Sequence, residues 1–319
     1  MSRIQFERID PRDHADELKA LFARNGQTQF EAVYERAYRR RAADGMRSWV
    51  GRSDGSAVLH ISVTPMLFTD GTRSVQGGIM GDLMVDEPYR DFWNPVGLLR
   101  TVVADLKKSG EIRFLLTTTT SDAEPVFKAG GFKPFARIRR YVMPLLWPYL
   151  AYAGVRAKSF GVRAIRDGVG SAHPSSVADL RSGTRFRPAP SAGFYDTRLG
   201  RGHFSDVNWV RVANGDGRSG AALLSRSTIQ PEIGIADAFW DEARPDLRDV
   251  ALAASRWARK QGDRRLAMST LAESRADAEL RSAGFLARGF RSSLLLQNLG
   301  ADLPPVDDWF MTGFPLSGW

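Results

Sequence analysis

The sequence predicts a mixed α/β chain, of the α+β type, built as two tandem copies of one module. Two observations carry this. Residues 81–132 read as strand, loop, helix, strand, helix. Shifted by 153 residues without a gap, the same stretch meets a second one: Gly81 meets Gly234, Leu99 meets Leu252, Lys107 meets Lys260 and Thr117 meets Thr270. Ser121 meets Ser274, Ala123 meets Ala276, and Gly131-Phe132 meets Gly284-Phe285. Chance alignment of two αβ units would rarely keep both glycine-phenylalanine ends and the whole pattern over 52 positions.

In chain order, RIQFER alternates and predicts a first strand. HADELKALFARNG is an amphipathic helix closed by Asn25-Gly26, and QFEAVYERAYRRRAADG a second helix ending at Gly45. Arg39, Arg40 and Arg41 then form either a solvated helix end near the negative dipole pole or a phosphate contact. Two strands follow, joined at Ser53-Asp54-Gly55, a hairpin signal. IMGDLMV is the next strand and DEPYRDFWNP the turn after it. GLLRTVVADLKK places Leu98, Leu99, Val102, Val103 and Leu106 on one helical face. IRFLLTTTT is apolar and β-branched, hence a strand. DAEPVFKAGGF is a short helix ending on Gly130 and Gly131. ARIRRYVMPL is expected to supply the last strand pair of the first module, and RSSLLLQN to close the second.

Composition narrows the class. The chain has 319 residues, 43% hydrophobic and 25% charged, ordinary for a soluble two-domain protein. No apolar run reaches a membrane span and MSRIQFERID has no signal core, so a cytoplasmic location, or a peripheral one at the inner membrane face, is expected. With no cysteine there is no disulfide, thiolate metal site or cysteine nucleophile. The four histidines are far apart and show no metal-ligand spacing, so no metal is expected; His60, in a strand, reads as a core histidine. The net charge of +9 favours an acidic partner. It falls in 137–201, which holds twelve Lys or Arg against three Asp. This belt is either a packed linker with a solvated basic side or a surface for an anionic membrane, an acyl carrier protein or tRNA.

Val85, Pro88, Arg90, and the aliphatic pair Leu98 and Leu99 eight and nine residues beyond it, resemble the cofactor-binding core of the GCN5-related N-acetyltransferases (GNAT family). Ala123, Val126, Phe127, Gly131 and Phe132 match its closing helix. The loop glycines of the family are missing: Trp93 and Pro95 stand in their place and only Gly97 remains nearby. Those glycines let a pyrophosphate approach backbone N–H groups at a helix start.

The resemblance implies two tandem GNAT-like modules, each a mixed, mostly antiparallel sheet flanked by helices. They would span 1–145 and 179–319, with an aromatic and basic linker at 146–178. It implies acetyl-coenzyme A or another acyl-coenzyme A as substrate. The cofactor-binding residues would be Met84, Val85, Arg90, Asp91, Phe92, Trp93, Asn94, Val96, Gly97, Leu98 and Thr120, the last at the place of an amide-anchoring asparagine. Asp82 is the candidate base, followed by Asp86 and Glu87; a carboxylate merely hydrogen-bonded at the strand is the alternative. The family's thiolate-protonating tyrosine corresponds to Phe127, and to Leu280 in the repeat, so neither module has that acid.

Asp241 and Glu242 follow the second module's central strand and would repel a pyrophosphate, so function is expected in the first module. The second would be structural or shape the acceptor pocket. The implied activity is acyl transfer from coenzyme A, or a phosphopantetheine carrier, to an amine. The Trp309 and Thr312 tail is similar to one in tandem proteins of surface-polysaccharide loci, which suggests an amino sugar as acceptor. The alternatives are an aminoacyl-tRNA-dependent transferase and a non-catalytic GNAT-like binding module.

Overall fold

The computed structural model describes residues 4–27, 34, 45–146, 161–165, 185–189, 204–213, 219–227, 232–240 and 246–312. The second predicted helix, its arginine triplet, the Asp241-Glu242 pair and most of the basic belt lie outside these residues.

The first half runs β1 (Gln5–Ile9), α1 (Ala15–Arg24), β2 (Arg47–Ser53), β3 (Ser56–Thr69), β4 (Ser74–Val85), α2 (Trp93–Ser109), β5 (Phe114–Thr119), α3 (Glu124–Ala129) and β6 (Lys133–Pro144). After β7 (Gly161–Ile165) and β8 (Arg187–Pro188), the second half repeats it. Its elements are β9 (Phe204–Ala213), β10 (Ser219–Ser227), β11 (Ile233–Trp240), α4 (Leu247–Lys260), β12 (Arg265–Leu271), α5 (Arg275–Ser282) and β13 (Leu286–Asn298). The predicted repeat is therefore kept element by element, and Gly131 and Gly284 share a left-handed φ, +100° and +91°. Asp54 and Gly55 both have positive φ, the geometry a two-residue hairpin turn demands.

All the described strands form one sheet in the order β1-β2-β3-β4-β5-β13-β6-β12-β11-β10-β9-β7, with β8 paired to the end of β3. Pairing is antiparallel except β4 with β5 and β11 with β12. The closing strands are exchanged. β13 lies against β5 of the first half, and β6 lies against β12 of the second. The two exchanged strands pair with each other along the centre of the sheet. The expectation that each module is closed by its own last residues is thus corrected. ARIRRYVMP carries no turn signal, so β6 continues as one strand into the second half, and β5 keeps an edge that only β13 covers. β7, inside the stretch read as linker, pairs with β9 as the outer strand of the second half, as β1 does with β2 in the first.

Each half has its own core. α2 buries Leu98, Leu99, Val102 and Leu106 against Leu59, Ile61, Val63 and Leu115, and Leu295 of β13 joins them. α4 and α5 pack Leu247, Val250, Trp257 and Leu280 against β10–β12, with Tyr141 and Met143 of β6. Between the halves sits an aromatic cluster around fully buried Trp309, whose ring lies 4.6 Å from Phe186 and 4.9 Å from Phe135. Its indole N–H donates to Pro304 O at 3.0 Å, so the buried polar atom is satisfied.

Candidate active site

β4 breaks register against β3 between His60 and Ser62, placing two residues, Asp82 and Leu83, opposite Ile61 alone. Such a bulge bends a strand and re-aims its side chains. Asp82 lies in it with a φ of +58°, a conformation that L residues adopt only when their surroundings hold them. Those surroundings are polar and ordered. Ser62 Oγ donates to the Asp82 carboxylate at 2.8 Å. His60 Nδ1 lies 3.0 Å from Asp82 O. Because a carbonyl only accepts, the ring proton sits on Nδ1, and Nε2 accepts from Ser48 Oγ at 3.2 Å. His60 is fully buried, and this burial pushes its pKa down to about 4, against the pull of Asp82. The ring is therefore a neutral, fixed strut.

β4 and β5 pair only at residues 77–79 with 114–116, although β4 runs on to Val85 and β5 to Thr119. At the paired end the backbones need glycine: a Cβ on Gly77 would stand 2.5 Å from Phe114 Cζ, and one on Gly78 2.8 Å from Val63 Cγ1. Beyond residue 79 the ladder ends and a gap opens. Asp86 N–H donates to Val58 O at 2.9 Å, which makes Leu59 and Val85 a non-hydrogen-bonded pair. The N–H and C=O of Val85 accordingly turn away from β3, toward the gap. Arg90 Nε takes the C=O at 2.9 Å, and the N–H faces the gap. On β5, Thr119 Oγ1 is buried without a hydrogen-bond partner.

The loop after β4 is tied to α1. Arg90 Nη2 donates to Asn25 Oδ1 at 2.8 Å, Asn25 Nδ2 to Asp86 Oδ1 at 2.9 Å, and Arg24 Nε to Asp86 Oδ2 at 3.0 Å. The turn expected to run through Pro95 is shorter than the sequence suggested: α2 starts at Trp93. Pro95 stands in its first turn, where a missing N–H costs no helical bond. Asp91 Oδ1 accepts from Asn94 N–H at 2.7 Å, so the chain's own carboxylate holds an amide that an anion would use. Phe92 and Trp93 are exposed and meet edge to face at 5.1 Å.

The sequence-predicted cofactor residues thus divide. Val85, Arg90, Asp91 and Asn94 meet where β4 ends and α2 begins, with Phe92 and Trp93 on the rim. Val96 and Leu98 have side chains buried in the core, and Met84 packs against the α1 cluster, so these three can offer only backbone. Gly97 serves packing: a Cβ there would lie 3.0 Å from Phe6 Cε2. Thr120 is exposed, and its carbonyl accepts the N–H of Glu124 at the start of α3. Phe127 is buried edge to face with Phe132. Asp86 is the partner of Arg24 and Asn25, which leaves Asp82 the carboxylate at the bulge. Sequence reasoning missed Ser48, Ser62 and Thr119: β2 and β3 each hold several polar residues and Thr119 is one of four threonines in a row, so none of the three stood out.

The second half carries the same bulge, as a register break between Leu223 and Leu224, but its gap is filled. Ala238, 153 residues beyond Val85, has its N–H capped by the Asp237 carboxylate at 2.8 Å and its C=O held by Arg187 Nη1 at 2.9 Å. Arg187 Nη2 pairs with Asp237 at 3.3 Å, and the guanidinium lies 4.5 Å from the Phe239 ring centre and 5.0 Å from that of Phe310. The tail completes the filling: Thr270 Oγ1 donates to Met311 O at 2.6 Å, and Thr312 bridges Thr270.

No family model and no curated protein matches the chain. Solved structures do. A probable N-acyltransferase of Enterococcus faecalis V583 superposes with a TM-score of 0.72 at 10% identity, over 93% of this chain and 73% of that one. A GCN5-related N-acetyltransferase of Anabaena variabilis gives 0.66 at 9% identity, over 92% and 73%. A tandem GNAT protein of the clavulanic acid biosynthesis pathway gives 0.55 at 15% identity, over 94% and all of that chain.

Proposed function

With the tandem GNAT fold as premise, we propose that the chain is an N-acyltransferase whose working site is the gap between β4 and β5 of the first half. The observation that carries this is the Val85 N–H. It points into the gap, whereas its counterpart at Ala238 is capped by Asp237. A strand-end donor of this kind would hold the carbonyl of an acyl thioester or an amide of its pantetheine arm. Bound acyl-coenzyme A would supply the activated thioester carbonyl.

The chain's own residues supply position and a base. Asp82 is the group to take a proton from an ammonium acceptor. Ser62 orients its carboxylate, and His60 fixes the bulge from which it projects. Phe127 has no proton to give, so the leaving thiolate takes one from water or from the acceptor side. Arg90 braces the strand end and lies close to the α2 start, where phosphates would dock. That end fits an anion only once Asp91 releases Asn94 N–H. This second observation favours a donor whose phosphate is not bound there, such as a carrier-borne or tRNA-borne acyl group. For the acceptor, the basic composition of 137–201 favours a primary amine on an acidic molecule, of which an amino sugar on a nucleotide or lipid carrier is one.

The test is release of free thiol from acetyl-coenzyme A with a panel of amines, beside thermal-shift titration with acetyl-coenzyme A and with tRNA. We expect stabilisation by the coenzyme, and in Asp82→Asn a large loss of kcat with little change in coenzyme binding. Salt-sensitive stabilisation by tRNA alone would move the assignment to tRNA-borne donors. Response to neither would leave a binding module.

A further inference from the structure

We propose that the centre of the sheet carries a second ligand site, independent of the β4–β5 gap, for a pyrophosphate-type polyanion. A cavity of about 780 Å³ is lined by Arg140, Arg264, Arg265 and Arg288, with Glu232 and an apolar wall of Val142, Pro144 and Leu146. The strand exchange builds it. Arg140 comes from β6, Arg288 from β13, Arg265 opens β12 and Arg264 precedes it, so neither half could form it alone.

Backbone pairing sets where these arginines leave the sheet. Leu145 N–H donates to Arg264 O at 2.9 Å, and Arg265 is in register with Pro144. β13 bulges between Ala287 and Phe290, and Arg288 stands in that bulge opposite Arg140. Arg140 pairs with Glu232. Asp263, the residue before Arg264, is occupied by Arg226, whose Nη2 lies 2.9 Å from Oδ2. No salt bridge or side-chain hydrogen bond engages Arg264, Arg265 or Arg288 among the described residues. The lining therefore has a formal charge of +3, four arginines against one glutamate.

Like charges lining one cavity repel one another, and a bound anion relieves that repulsion. A diphosphate carries a charge of similar size and opposite sign. Its oxygens suit forked, charge-assisted contacts with several guanidiniums at once. The apolar wall leaves room for an organic group attached to the diphosphate, which the guanidiniums alone would not select.

Inorganic pyrophosphate is the probe, titrated by calorimetry into the full chain at two salt concentrations. We expect one saturable site that weakens as salt rises. Arg264→Gln with Arg265→Gln, and separately Arg288→Gln, should each lower the affinity by about tenfold or more. Lys107→Gln, on the exposed end of α2, should leave it unchanged. All these positions are exposed, and an unchanged circular dichroism spectrum checks that each variant folds. Absence of saturable binding, or equal loss in the Lys107 variant, would overturn the proposal. A site that persists in all the arginine variants but is lost in Arg90→Ala would overturn it too, by moving the anion to the start of α2.

Discussion

Acidification should destabilise this protein through His60, ahead of the carboxylates Glu17, Asp70 and Asp277. His60 is fully buried and titrates near 4, against 6.5 for an unperturbed histidine. Its folded pKa is the lower of the two, so protons bind preferentially to the unfolded chain. The stability is fully present above pH 6.5 and is lost as pH falls from there toward 4. The whole effect is about 3 kcal/mol, of which about 2 kcal/mol falls between pH 8 and pH 5. Those three carboxylates act lower down. Burial alone would raise Glu17, Asp70 and Asp277, but hydrogen bonds outweigh it and hold all three below their ordinary values of 4.5, 3.8 and 3.8. Their contribution is lost only as pH falls below those values. Urea unfolding followed by tryptophan fluorescence at pH 8, 7, 6 and 5 reads the difference. The midpoint should fall steadily below pH 6.5 in the parent. In His60→Gln, whatever its starting stability, the fall should be largely absent. Equal slopes for the two proteins would refute the argument that His60 is a neutral strut under Asp82.

Three further outcomes follow from the same geometry. Arg187→Met should cost about 3–5 kcal/mol in urea unfolding, because it removes the cation paired with the buried carboxylate of Asp237, and adding Asp237→Leu should recover most of it. Residues 1–145 expressed alone should be insoluble, since β5 loses β13, whereas co-expression with 146–319 should give a soluble complex by gel filtration. Asp91→Ala should lower stability by about 1 kcal/mol through the lost cap, yet tighten acetyl-coenzyme A binding by freeing Asn94 N–H; unchanged or weaker binding would place the phosphates elsewhere.

The local structure of this chain was legible in its sequence because periodicity and punctuation are local properties. The 153-residue repeat, the Asp54-Gly55 turn, the apolar face of α2 and the glycines after α3 and α5 all appear where the residues put them. Asp82 was legible as a carboxylate on the central strand. Its left-handed backbone was not, because that depends on the register of β4 against β3 and on His60 and Ser62, some 20 residues away in sequence. β7 escaped because five residues, Gly161 to Ile165, make too short an alternation to stand out, and its pairing with β9 decides it.

Three things belonged to the tertiary structure alone. The closing strands cross between the halves, since strand pairing is chosen by which edges are left open and not by the strand's own residues. Arg187 fills the second gap, and nothing near it in sequence marks it off from the other arginines around it; its partners Asp237 and Ala238 lie about 50 residues on. Val85 N–H faces the first gap because hydrogen bonding alternates along an antiparallel pair, so one residue of register separates a donor buried in the ladder from a donor offered to a ligand.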